Sequence, residues 1–115
     1  MNKVLLVGRL TADVEVRKTK NTTVGRYTLA IYAGTDQEAN FIRCVTFGKS
    51  AEFAEKYFCK GLRVAVEGHI QTGKYEDKEG LTHYTTDVIV ECQEFADGKK
   101  DKQPSGKSGG YNRRR

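Results

Sequence analysis

The chain has 115 residues, room for one small domain with a modest core, and carries six Tyr and five Phe but no Trp. Its formal net charge of +5 is not spread evenly: residues 97–115 hold seven cations and two anions, and the remaining 13 cations and 13 anions cancel. A uniformly basic surface is thereby excluded for residues 1–96, so binding of a polyanion there calls for a local arrangement of cations and stacking rings.

Residues 3–10 read as a strand with Val4, Leu6 and Leu10 on one face and Lys3, Leu5, Val7 and Arg9 on the other, because side chains two apart share a face. Aliphatics on both faces call for cover on both sides: the domain's own core on one, and a partner subunit over Leu5 and Val7 on the other. This opening run breaks off at Gly8-Arg9, too early for a secretory signal, and no stretch is long and apolar enough to span a bilayer. A cytoplasmic protein is expected.

Thr11-Ala12-Asp13 turns the chain, Val14-Glu15-Val16-Arg17 alternates as a short continuation of the strand, and residues 18–23 form a polar loop. From Gly25 the alternation places Tyr27, Leu29, Ile31 and Ala33 toward the core and Arg26, Thr28, Ala30 and Tyr32 on the open face. A loop over residues 34–40 leads into the next strand and sets that open face beside the one carrying Phe41.

That strand, Phe41-Ile42-Arg43-Cys44-Val45-Thr46-Phe47, puts Phe41, Arg43, Val45 and Phe47 on one side and Ile42, Cys44 and Thr46 on the other. Two aromatics with a guanidinium between them and the Lys49 ammonium just beyond form a row on which unpaired bases can stack while cations hold phosphates. The alternative is a strand buried on both faces, with Arg43 snorkelling to solvent.

Residues 50–61 hold the one convincing helix: Ser50 as N-cap, Glu52 in the first turn, Lys56 and Lys60 in the last, and Gly61 in the left-handed position past its end. Ala51, Ala54 and Phe58, with Phe53 and Tyr57, give it one apolar face that closes a core; it has no groove-reading character. Leu62, Val64, Val66 and Ile70 then point inward from one strand, and Tyr84, Thr86, Val88, Val90 and Cys92 share a face of another. Residues 72–82 form a long hairpin arm between them, with its turn near Asp77–Gly80. This order predicts an all-β fold: a five-stranded OB-fold barrel with one helix between strands three and four. From Asp97 onward Gly, Ser, Lys and the single Pro predict a disordered basic tail, dividing the chain into a domain over 1–96 and a tail over 97–115.

Cys44, Cys59 and Cys92 are odd in number, without a C-x-x-C pair, and read as reduced core thiols. His69 and His83 stand apart and read as surface residues. No metal site and no cofactor are expected, and Asp36, Asp77 and Asp87 are too scattered for metal-dependent nuclease chemistry, so no enzymatic activity is expected.

The segments Asn2-Lys3-Val4-Leu5-Leu6-Val7-Gly8-Arg9-Leu10, Thr28-Leu29-Ala30, Arg43-Cys44-Val45-Thr46-Phe47-Gly48-Lys49, Lys60-Gly61, Val66-Glu67-Gly68 and Tyr84-Thr85-Thr86-Asp87-Val88 resemble the pattern of the bacterial single-stranded DNA-binding proteins, in order, over about residues 2–95. The resemblance implies sequence-tolerant binding of single-stranded DNA in replication, recombination or repair, a homotetramer, and a place on the nucleoid. It implies stacking by Phe41, Phe47 and Tyr75, with Tyr32 near a further aromatic position, and phosphate contacts from Lys49 and Lys74. Arg43, Arg26 and Lys3 are the further cations assigned to phosphate, and Leu5 and Val7 the interface residues. Gln71 and Gly73 stand where the family often has arginines. The chain also ends in Arg113-Arg114-Arg115 where relatives have an acidic tip, so recruitment of repair enzymes through such a tip is not expected. A primosomal replication protein and an OB-fold RNA chaperone are the competing readings, separable by oligomer mass and by DNA-against-RNA competition.

Overall fold

The computed structural model describes residues 1–32, 34 and 38–96; Ala33, Asp36 and the segment 97–115, all part of the sequence reading, lie outside the described residues. In chain order the elements are β1 (Val4–Leu10), β2 (Glu15–Lys18), β3 (Thr23–Tyr32), β4 (Ala39–Phe47), α1 (Lys49–Tyr57), β5 (Arg63–Glu76) and β6 (Thr82–Phe95). Hydrogen bonding runs β1-β5-β6-β4-β3-β2, and β1 also pairs with β3 through Arg9↔Ala30 and Leu10↔Leu29, which closes the strands into a ring. The first half of β3 pairs with β2 and its second half with β1, so β1 and β2 share one place in the ring, as the alternation through Arg17 predicts. Counted this way the ring has the five-stranded OB arrangement, and the helix falls between the third and fourth positions.

Period-2 alternation builds the core: Leu10, Tyr27, Leu29, Cys44, Val64, Val66 and Val88 all point inward and are buried. The helix caps one end, burying Ala51 and Ala54, and Phe58 follows it into a cluster with Tyr27, Phe53 and Phe95 at centroid separations of 5.6–5.8 Å. The Tyr27 hydroxyl donates to Gln93 Oε1 at 2.7 Å and Gln93 Nε2 donates to the Ser50 carbonyl at 2.7 Å, tying β3, β6 and α1 together through a satisfied buried phenol.

The helix ends differ from expectation. Its N-cap is Gly48, at φ 63°, with no side-chain cap; Ser50 lies inside the helix and contributes its carbonyl to Gln93. The chain passes from β4 into the helix through this positive φ, which glycine adopts without a Cβ clash. The helix stops at Tyr57, with Phe58 extended. Gly61, at φ 88°, belongs to the turn that docks onto β1, its N–H donating to the Leu10 carbonyl at 2.9 Å.

Between β5 and β6 the register slips: Glu67 faces Cys92 but Gly68 faces Val90. The extra residue on β6 is a bulge. It turns Gln93 and Phe95 inward and Cys92 outward, which alternation carried past Val90 does not foresee. The expectation of three core thiols is thus corrected: Cys92 is exposed, Cys59 half-buried, and Cys44 alone is in the core, where burial pushes its pKa up to about 12. A side chain at Gly68 would collide with the Ile89 carbonyl across the bulge. Gly68→Ala should cost about 1–3 kcal/mol by overpacking, read as a lowered urea midpoint with an unchanged m value.

Ile70 and Tyr84 also differ from the inward assignment. They are 44 % and 79 % exposed, because β5 and β6 leave the ring beyond Val88 as a two-stranded arm with no third strand beneath it. The arm turns at Asp77–Gly80 as expected, with Gly80 N–H donating to the Asp77 carbonyl at 3.0 Å.

Candidate nucleic-acid interface

The strand registers place the expected residues on one outer surface. Across β3 and β4 the facing pairs are Arg26↔Val45, Thr28↔Arg43, Ala30↔Phe41 and Tyr32↔Ala39, so Arg26 and Tyr32 do share a face with Phe41, Arg43 and Phe47. Parallel pairing of Val45 with Ile89 carries that face onto β6, and the pairs Gln71↔Asp87, Gly73↔Thr85 and Tyr75↔His83 carry it along the arm.

Exposure rules out a strand buried on both faces: Phe41 is 66 % and Phe47 47 % exposed, whereas Ile42, Cys44 and Thr46 face the interior. The two rings lie six residues apart, about 20 Å along the strand at roughly 3.3 Å per residue. Tyr32 and Tyr75, at 61 % and 57 %, extend the aromatic surface at its margins. Only Val45 of the outer set is covered.

Arg43 stands between the phenylalanines, its Nε donating to Asp87 Oδ1 at 2.8 Å. That bond raises the guanidinium's pKa further and orients its plane, while the terminal nitrogens are not part of it. Asp87 was not a predicted site residue; nothing in the sequence signals it, because the pair spans two strands that meet only in the ring. Lys49 opens α1 and is exposed just past Phe47, delivered there by the Gly48 turn.

Arg17 is a second residue that the sequence reading passed over. Because β2 lies on β3, Arg17, Val24 and Phe47 fall in one row, and Glu15 falls opposite Arg26. Period-2 spacing alone identifies an outward Arg17, but only the β2–β3 register sets it in line with Phe47, across Val24.

Two predicted cations lie elsewhere. Lys74 pairs with Tyr84 on the reverse side of the arm from Tyr75. Lys3 sits at the β1 side of the barrel, its Nζ 2.8 Å from Glu67 Oε2 and 3.2 Å from Glu91 Oε1. These hydrogen bonds, Glu67 first, hold the ammonium above the usual lysine value, and His69 at 2.7 Å, followed by Lys3, holds the Glu91 carboxyl below its own. Lys3 is thus engaged by two carboxylates, one on β5 and one on β6. On the same side Leu5 and Val7 are 73 % and 48 % exposed and border a shallow groove with Ala65, Cys92 and Glu94.

Among the described residues no helix is long and apolar enough to cross a membrane, and no group of three or more His, Cys, Asp or Glu side chains converges as a metal site does.

A closed OB barrel with exposed aromatics and an oriented arginine on one continuous face defines a nucleic-acid-binding module. The chain belongs to the single-strand binding protein family, whose description matches residues 1–96. It is 48 % identical over 100 residues to a single-stranded DNA-binding protein of Clostridium perfringens, covering 84 % of this chain and 67 % of that one. It is 39 % identical over 107 residues to single-stranded DNA-binding protein 2 of Staphylococcus aureus strain COL, covering 88 % and 77 %. With single-stranded DNA-binding protein 1 of S. aureus strain Mu50 the identity is 41 % over 105 residues, covering 86 % and 67 %.

Proposed function

We propose that this chain binds and protects single-stranded DNA without regard to sequence, through bases stacked on Phe41, Phe47, Tyr75 and Tyr32 and phosphates held by Arg43, Arg26 and Lys49. The observation that carries this reading is the exposure of Phe41 and Phe47, with the Arg43 guanidinium between them, on the outer face of a single-strand binding family barrel. A π-face is common to every base, so such a surface tolerates any sequence. It asks for no catalytic step.

The cellular setting that fits is the cytoplasm, on exposed strands during replication, recombination or repair. The Leu5 and Val7 face fits self-assembly, with a homotetramer as the expected state. The barrel, residues 1–96, is the binding domain.

The test is a titration with oligothymidylate of graded length, followed by tyrosine fluorescence and native mass. Saturable binding, with mixed-sequence single strands competing equally and duplex DNA poorly, is expected. Equal competition by duplex would sink the reading, and preference for RNA would favour the RNA-chaperone alternative.

The segment 97–115 carries all the excess positive charge and adds counterion release without specificity. Its deletion should weaken binding and flatten the salt dependence, each lost phosphate contact removing about 0.7 from the slope of log K against log salt. Identical slopes would make the segment a bystander; tighter binding by the truncated chain would reverse its sign.

A further inference from the structure

At the end of the β5–β6 arm two rings are already stacked before any base arrives. Tyr75 and His83 are directly opposite residues on the face that Phe41 shares, with centroids 5.1 Å apart and planes inclined by 21°. The imidazole is itself held from below: Nε2 lies 2.7 Å from Asp77 Oδ2. A carboxylate only accepts, so Nε2 carries the proton and donates. The other oxygen of Asp77 accepts the backbone N–H groups of Glu79 and Leu81 at 2.9 and 3.0 Å, anchoring the carboxylate to the turn. These bonds, the one from His83 first, hold the Asp77 carboxyl below the usual range. The chain of contact thus runs from a rigid turn through Asp77 and His83 to one side of the Tyr75 ring.

We infer that His83 is a positioning residue for DNA: it fixes the Tyr75 ring from beneath so that the opposite face of that ring receives an unpaired base. The result is a three-layer stack of base, phenol and imidazole at the end of the arm. This inference rests on the single-strand-binding reading above and deepens it at one residue. Its physical basis is preorganisation: on an exposed two-stranded arm a lone tyrosine samples several rotamers, and binding has to freeze them, whereas a ring already stacked has lost that freedom before the ligand arrives. Local pattern marks His83 only as a surface residue, because its two partners, eight and six positions earlier, meet it only once the arm has turned.

The test uses the full chain and two oligothymidylates, one of about six nucleotides that the barrel face alone accommodates and one of about thirty that also reaches the arm, given roughly 4–16 nucleotides per OB fold. His83→Ala should weaken binding of the long strand about five- to ten-fold and leave the short one within about two-fold. His83→Phe, which keeps a ring beneath Tyr75, should restore the long-strand affinity. In a Tyr75→Ala background His83→Ala should have no further effect, since its action passes through Tyr75. Melting curves of each variant establish that the barrel is folded.

Three outcomes overturn the inference while the functional reading stands: long-strand affinity unchanged in His83→Ala, failure of His83→Phe to restore it, or additive losses in the double variant. If the unmutated chain binds neither strand, or duplex competes equally, both fall together.

Discussion

Phe41→Ala and Phe47→Ala are each expected to weaken binding of a long oligothymidylate by roughly one to two decades, with a melting temperature close to that of the unmutated chain. The magnitude follows from base–aromatic stacking, about 1–3 kcal/mol per base by alanine substitution. The small stability effect follows from position: Phe41 pairs with Ala30 and Phe47 with Val24 on the outer face, so truncating either opens no internal cavity. Phe47, the more covered of the two, should show the larger shift in melting. An Arg43→Ala change should instead act on the salt dependence, and it leaves Asp87 uncompensated on the surface proposed to meet phosphates. The measurement is affinity by fluorescence titration beside a thermal melt of the same preparations. A marked fall in melting temperature with undiminished affinity of the folded protein would put both rings in the core after all.

Val7→Asp is expected to split the proposed multimer into smaller species that stay folded. Val7 faces Ala65 on the outside of β1, beside an even more exposed Leu5. Among the described residues no further element lies over them, as expected of a barrel of this size. In a two-fold interface every substitution occurs twice, so the change takes two carboxylates out of water into an apolar contact, at a desolvation cost the valines do not carry. Glu94 lines the same groove as Val7 and Lys3 is held by Glu67 and Glu91, while Arg9 and Arg63 flank the Val7–Ala65 pair one step along the same face. Because Val7 is half exposed in the single chain, the barrel itself should lose little stability. Light scattering at micromolar concentration decides the matter, and a monomeric mass for the unmutated protein would remove the proposal.

Much of the fold was legible from local pattern. Period-2 alternation placed Tyr27, Leu29, Val64 and Val88 inside and Tyr32 outside and set Phe41 and Phe47 together on one face of their strand, and the Asp77–Gly80 turn falls where its residues put it. These succeed because face is a property of a strand's own geometry and needs no partner. The family likewise follows from sequence alone, since identity over residues 1–96 is recorded in side-chain order. What alternation does not carry is register and cover. The bulge opposite Gly68 reversed Cys92, and the arm's lack of a third layer exposed Ile70 and Tyr84, although each sits in an unbroken pattern. The site divides in the same way. Which rings and cations share a face was decided by the chain itself; that Phe41 and Phe47 are exposed, that Asp87 orients Arg43, that Arg17 falls in line with Phe47 across Val24, that Lys3 pairs with Glu67 and Glu91, and that His83 stacks on Tyr75 were decided only by the tertiary structure. Each of these depends on strands being paired in one register, and a single-residue slip would send every one of those side chains to the opposite face.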